Sequence, residues 1–321
     1  MILGLDIGGT KCAVILGKEN ASRGDAIVDR ISFVTEVKKG VGQTVDNFFS
    51  SIDEILGRNG LNPSGLTGIG ISCGGPLDSA AGVILSPPNL YGWDNIPITD
   101  IIEKRYNVKT RLQNDANACA VAEWRYGAAR GTRNAVFITM GTGLGAGLIL
   151  DGRLYSGTND MAGEVGHARL SPIGPVGYGK AGSFEGFCSG GGIAQLAQTM
   201  TLERLQRGES VSFCPDIAAL HCVDARAVAK AAGNGDELAL VILSEVGRWL
   251  GRGLSLLIDI LNPEVIVIGS VFERSGRFMV ESMQQTLEAE CLPRALSACR
   301  VVAAQLGDEI GDYATLAVAE Q

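Results

Sequence analysis

The chain has 321 residues, 46% hydrophobic and 19% charged, which is enough length for two cores and the composition of a folded globular protein. A net charge of −8 without any Lys/Arg stripe argues against a partner recognised through a nucleic-acid backbone. The eight scattered cysteines form no Cys-x-x-Cys pair, so they suit reduced thiols better than a disulfide framework or a zinc knuckle.

The first element predicted is a hairpin, Ile2 to Leu16, reading strand, glycine turn (Gly8-Gly9-Thr10), strand. Its N-terminus reaches Asp6 with no basic stretch before it, unlike a signal peptide, so a cytoplasmic protein is expected. Apolar residues at Phe48, Phe49, Ile52, Ile55 and Leu56 predict a helix over Val45 to Asn59. Gly68 to Ser72 reads as a short buried strand entering a turn-rich loop, Cys73 to Asp78, and the proline-rich stretch Ser86 to Pro97 reads as loop. A helix over Ile98 to Tyr106, a strand over Lys109 to Leu112 and a helix over Ala116 to Tyr126 follow, the last with Asn114-Asp115 at its N-cap.

A second hairpin, Val136 to Leu150, turns at Gly141-Thr142-Gly143; the uncharged run that holds it, Asn134 to Leu150, is too short and too rich in glycine to span a membrane. After an irregular stretch from Ser156 to Gly182 come helices near Gly191 to Arg207, Ala225 to Ala232 and Glu237 to Leu261, the last stopped by Asn262-Pro263. An apolar strand, Val265 to Ser270, then a helix, a strand at Val301 to Ala303 and a final helix complete the pattern. Alternating strands and helices predict an α/β fold in two halves with a cleft between them. The border is expected near Asp115, giving 1–115 and 116–304, with the terminal helix at about 305–321 packing back on the first half.

The two glycine turns match in design. Each offers a tight bend, bare backbone N–H groups and one hydroxyl, Thr10 or Thr142, which suits phosphate oxygens; a lone turn of this kind would be ordinary hairpin chemistry. The sequence Gly-x-x-x-x-Gly-Lys-[Ser/Thr] occurs nowhere, and the chain after Gly145 returns to strand residues, so neither turn is a P-loop or a dinucleotide fingerprint. Asp115, at a strand-to-helix junction, can cap the helix, accept a hydroxyl proton during phosphoryl transfer, or do both. Glu164 and His167 lie in a permissive glycine loop and offer the paired donors and acceptors that sugar hydroxyls need. His221 beside Cys222 reads as an ordinary surface or half-buried histidine; Glu185, in Gly182-Ser183-Phe184-Glu185-Gly186, has a similar loop setting but reads by default as solvated.

These segments resemble, in order and over essentially the whole chain, the successive motifs of the ROK family of bacterial sugar kinases, open reading frames and repressors. The resemblance rests on Asp6-Ile7-Gly8-Gly9-Thr10-Lys11, Gly75-Pro76-Leu77-Asp78, Pro88-Asn89-Leu90-Tyr91-Gly92-Trp93, Asn114-Asp115-Ala116-Asn117-Ala118, Gly141 to Gly147 and Gly163-Glu164-Val165-Gly166-His167. It implies two actin-like ATPase (ribonuclease H-like) domains and an ATP-dependent kinase for a hexose or N-acetylhexosamine. Asp6 would lie near magnesium, through water. Gly8, Gly9, Thr10, Lys11, Gly141, Thr142 and Gly143 would face the nucleotide phosphates, and Gly269 with Ser270 the adenosine. Asn89, Asn114, Glu164, His167, Glu185 and Gly75 would line the sugar site, with Asp115 as the catalytic base. A homodimer is also implied.

One departure stands out. Many family members carry Cys-x-Cys-Gly-x-x-Gly-Cys after the histidine and bind a structural zinc with it, whereas Val176 to Ser183 contains no thiol, so no zinc is expected. The alternatives to a kinase are a sugar-binding regulatory protein without catalysis and a repressor. The first hairpin begins at residue 2 and leaves no room ahead of it for a DNA-reading domain, which weighs against the repressor.

Overall fold

In the computed structural model, which describes residues 1–321, the first hairpin pairs β1 (Ile2–Ile7) with β2 (Lys11–Gly17) in antiparallel register. All of β1 except Asp6 is buried, so the carboxylate is the one polar interruption of an interior strand. β3 (Ile27–Val34) alternates between half-buried and exposed residues, as an edge strand does. α1 (Gly40–Arg58) begins ahead of the predicted start at Val45 and buries Val45, Phe48, Ile52, Ile55 and Leu56.

β4 (Gly68–Cys73) runs parallel to β1, and β7 (Thr110–Asn114) runs parallel to β4. Between them lie a small hairpin, β5 (Leu77–Asp78) with β6 (Val83–Ile84), and α2 (Ile98–Tyr106), which ends where Asn107 takes a left-handed conformation. The strand order is β3-β2-β1-β4-β7. α3 (Asp115–Tyr126) follows β7 without a break.

The second sheet has the strand order Arg153–Tyr155, Leu144–Leu150, Ala135–Met140, Val265–Ile268, Arg300–Ala303. β8 (Ala135–Met140), β9 (Leu144–Leu150) and β10 (Arg153–Tyr155) come first along the chain. The stretch read as irregular contains a two-stranded hairpin, β11 (Val176–Gly177) with β12 (Lys180–Ala181). α4 (Phe184–Cys188), α5 (Gly190–Gln206), α6 (Ala225–Gly233) and α7 (Glu237–Leu261) follow. Ser189, Asp224 and Asp236 cap α5, α6 and α7, and α7 stops at a left-handed Asn262 before Pro263. β13 (Val265–Ile268) is fully buried and parallel to both β8 and β14 (Arg300–Ala303). α8 (Val271–Ser275), α9 (Val280–Glu290) and α10 (Pro293–Ala298) lie between them, and α11 (Ile310–Ala319) ends the chain. No helix is long and apolar enough to cross a membrane.

The chain divides into two compact units: 1–133 with 147–162 and 305–321, and 134–146 with 163–304. α3, assigned from sequence to the second half, lies in the first unit because it packs on α11. In that unit one face of the sheet gives Leu3, Leu5, Ile7, Val14, Ile69 and Ile71 to a core shared with α1 and α2. The other face gives Ile2, Ala13 and Ile15 to Leu316 and Ala319 of α11.

Candidate functional site

Within the first unit, parallel pairing sets the candidate residues at the carboxyl ends of adjacent strands. Asp6 is opposite Ser72 and Ser72 opposite Gln113; one step on, Ile7, Cys73 and Asn114 are in register. Open α/β sheets bind ligands at this end, where the side chains of strand-to-helix turns converge.

Asn114 is the N-cap of α3, its Oδ1 accepting from Ala116 N at 3.0 Å, and Asp115 Oδ1 accepts from the same N–H at 2.8 Å. Both adjacent side chains thus cap the same N–H of the first turn of α3. Asp115 is accessible at its surface yet crowded by protein, and desolvation pushes its pKa up against the opposing backbone hydrogen bonds. Asp6 is raised to about 6, first by burial, then by the like charges of Asp312 and Asp115.

Asp312, from the first turn of α11, is held by Arg30 of β3 at 2.8 Å. Nothing local marks this neighbour, which comes from the far end of the chain. Cys73 and Cys119 lie near the same carboxylates; burial and the charges of Asp115 and Asp6 raise both thiols, which keeps them protonated and unreactive.

The first glycine turn is anchored from behind, with Thr35 Oγ1 donating to Gly8 O at 2.6 Å and Thr35 N to Thr10 O at 2.9 Å. A Cβ on Gly9 would stand 2.5 Å from Asn89 O, so candidate Asn89 packs directly on the turn. A Cβ on Gly75 would stand 3.1 Å from Asn114 Nδ2, which pairs those two candidates. Thr10 and Lys11 are exposed.

The second unit gathers its own set. Gly141 N donates to Gly143 O at 3.0 Å across the second turn, and Gly190 N, at the start of α5, donates to Gly141 O at 2.8 Å. The helix start at Gly190-Gly191-Gly192 thus abuts the turn, a proximity with no local signal in the sequence. Ser270 Oγ would lie 3.9 Å from a Cβ on Gly141, which puts the Gly269-Ser270 candidate beside the turn.

Glu185 Oε2 accepts from Leu144 N at 3.0 Å and lies 2.9 Å from where a Gly143 Cβ would be, so this candidate sugar ligand is tied to the second glycine turn. The loop with Glu164 and His167 runs alongside, joined by Ala146 N to Gly163 O at 2.8 Å; a Cβ on Gly166 would sit 3.3 Å from Glu185 Cβ. His167 is exposed and meets Tyr178 edge-on at 6.2 Å. The structure brings Glu164, His167 and Glu185 together in one unit and Asp6, Asn89, Asn114 and Asp115 in the other.

The description ROK family matches residues 2–321. The chain belongs to the ROK family. A glucokinase of Halalkalibacterium halodurans is 31% identical over 311 residues, spanning 96% of this chain and 92% of that one. The crystal structure of a ROK family glucokinase from Streptomyces griseus, in complex with glucose and AMPPNP, is 26% identical with a TM-score of 0.75, covering 100% and 99% of the two chains. A ROK family transcriptional regulator, homologous to the MLC protein of E. coli, is 25% identical with a TM-score of 0.84, covering 100% of this chain and 77% of its own. This ROK protein has the mixed α/β architecture of the actin-like ATPase fold, with two five-stranded sheets. Its relatives include both kinases and regulators.

Proposed function

We propose that this ROK protein is an ATP-dependent kinase of a hexose or N-acetylhexosamine. The observation that carries the reading is the placement of Asp115 and Asp6, two carboxylates raised by burial, at the strand ends beside the first glycine turn. The glucokinase relatives support the same reading.

A sugar hydroxyl would attack the γ-phosphorus of ATP, forming the new P–O bond while the bond to the β-bridging oxygen breaks and ADP leaves. Asp115 would take the hydroxyl proton. A carboxylate whose pKa is raised by desolvation is a better proton acceptor than a solvated one. Asn89, Asn114, Gly75, Glu164, His167 and Glu185 would hold and orient the sugar. Gly8, Gly9, Thr10, Lys11, Gly141, Thr142, Gly143 and Gly269 would hold the nucleotide, the glycines admitting phosphate oxygens where a Cβ would intrude.

Magnesium fits this donor set, because it takes one or two carboxylates and completes its shell with water and phosphate oxygens, and Asp6 offers one such carboxylate. When bound, it would supply charge neutralisation to the phosphates. The likeness to a transcriptional regulator supports a second reading, a sugar-binding regulatory protein without turnover.

ADP release with magnesium and ATP across a panel of hexoses and N-acetylhexosamines, run beside calorimetric sugar binding, separates the two. A kinase gives turnover with one sugar that falls by about 10³-fold in Asp115→Asn while sugar binding persists. Binding without turnover in the unaltered protein overturns the kinase reading in favour of the regulator.

A further inference from the structure

The family resemblance implies a zinc held by the histidine at position 167 and three cysteines, and the residues present do not fit one. Structural zinc takes four nitrogen or sulfur ligands. Positions 168–183 contain no cysteine, and nowhere in the chain do three His, Cys, Asp or Glu side chains gather as a metal-holding group.

The strap of residues 168–183 is nonetheless held by hydrogen bonds along it. Leu170 N and Ser171 N both donate to Gly182 O, Gly182 N to Pro175 O at 2.9 Å, and Phe184 N to Ala168 O at 2.8 Å. Three long side chains complete the set. Arg169 Nη1 donates to Ala181 O and Lys180 Nζ to His167 O, each at 2.7 Å. Gln195, on α5, pairs with both backbone groups of Val176: its Oε1 accepts from Val176 N at 2.9 Å and its Nε2 donates to Val176 O at 2.8 Å. One amide side chain thus does for β11 what a neighbouring strand would do.

Each strand of the hairpin backs one candidate sugar ligand. A Cβ on Gly177, next to Val176, would lie 2.9 Å from both Cβ and Cγ of Glu185, so the seat of β11 sets where Glu185 can be. Lys180 of β12 holds the His167 carbonyl, and Tyr178, in the left-handed turn before Gly179, meets the His167 ring.

We propose that Arg169, Lys180 and Gln195 form a metal-free clamp that replaces zinc, and that Gln195 and Lys180 are positioning residues for Glu185 and His167. The consequence for sugar rests on the kinase reading above, whereas the ordering of the strap stands without it.

The test is amide hydrogen exchange at Leu170, Val176, Gly182 and Phe184, with the zinc content of the purified protein measured by elemental analysis. Exchange is followed in the unaltered protein before and after chelation, and in Gln195→Ala, Lys180→Ala and Lys180→Arg. The clamp predicts substoichiometric zinc, exchange unmoved by chelator, and exchange roughly five- to ten-fold faster at Val176 in Gln195→Ala, the scale of one net hydrogen bond. With magnesium restored, KM for sugar rises several-fold in Gln195→Ala and Lys180→Ala while kcat and KM for ATP hold, and Lys180→Arg, which keeps a donor, recovers the unaltered KM. Stoichiometric zinc, protection lost on chelation, or both alanine variants exchanging like the parent overturns the clamp. Absence of sugar-stimulated turnover counts against the kinase reading alone, because metal content and exchange decide the clamp without it.

Discussion

Asp6 lies in an otherwise buried strand with Asp312 and Asp115 as like-charged neighbours, and its carboxyl titrates near 6. The unfolded chain gives up this proton near the ordinary aspartate value of about 4. Between those values the folded state binds more protons than the unfolded one, so this group's contribution to stability is present below about pH 4 and is lost as pH rises to about 6. Asp6→Asn has no proton to lose. Its stability relative to the parent is expected to rise through that window and level off above about pH 7, by at most about 2–3 kcal/mol. Urea unfolding of both proteins at several pH values measures the difference, and a difference constant with pH sinks the account. Asp6 and Asp115 were legible in the sequence because their settings are local: a glycine turn in one case, a strand-to-helix junction in the other. Asp312 was not, since it reaches Asp6 only through the packing of α11 on β1.

At the scale of elements, the apolar pattern marked the limits of α2, the pattern with Asn262-Pro263 those of α7, and the start but not the end of β13, which stops at Ile268 and not Ser270, whereas which faces meet had no local signal. The face of β1 and β4 that receives α11 carries glycine where the helix comes closest. Gly4 and Gly70 are opposite each other in the sheet, and a Cβ on either would overlap Thr315; on Gly70 it would also meet Ala319 N. These glycines are needed for close approach, and neither has a positive φ. Gly70→Ala must push the α11 backbone off the sheet and is expected to destabilise by about 3 kcal/mol, the upper end for overpacking, since the atoms it meets include backbone. Gly57, in α1, has open space around it, and Gly57→Ala is expected to stabilise by about 0.5–1 kcal/mol through helix propensity alone. Denaturant midpoints for the pair decide the point: similar shifts for both would mean that space at Gly70 is not what selects glycine. The hairpin of β11 and β12 escaped the sequence reading for a related reason. Its order comes from Gln195, Arg169 and Lys180, which reach backbone carbonyls and show no periodicity.

At the scale of the molecule, the first unit is assembled from three separate stretches of chain, 1–133, 147–162 and 305–321. The final helix was expected to return to the N-terminal half, but nothing local marked what secures the return. Glu123 does so. It is fully buried on α3; its Oε1 accepts from Gln305 N and Leu306 N, each at 2.9 Å, and its Oε2 accepts from Ala128 N at 2.7 Å. One carboxyl therefore satisfies backbone donors of the re-entering segment and of the turn that ends α3. A buried N–H left without an acceptor costs about 1–3 kcal/mol, so Glu123→Ala, which takes the carboxylate acceptor from Gln305 N and Leu306 N, is expected to destabilise by on the order of 3 kcal/mol. The loss should fall first on the re-entering segment, with faster exchange at Gln305 and Leu306 and earlier proteolytic cleavage near them than in the second unit. Loss of stability without selective exposure of residues 305–321 would mean that Glu123 serves the core of α3 rather than the closure of the first unit.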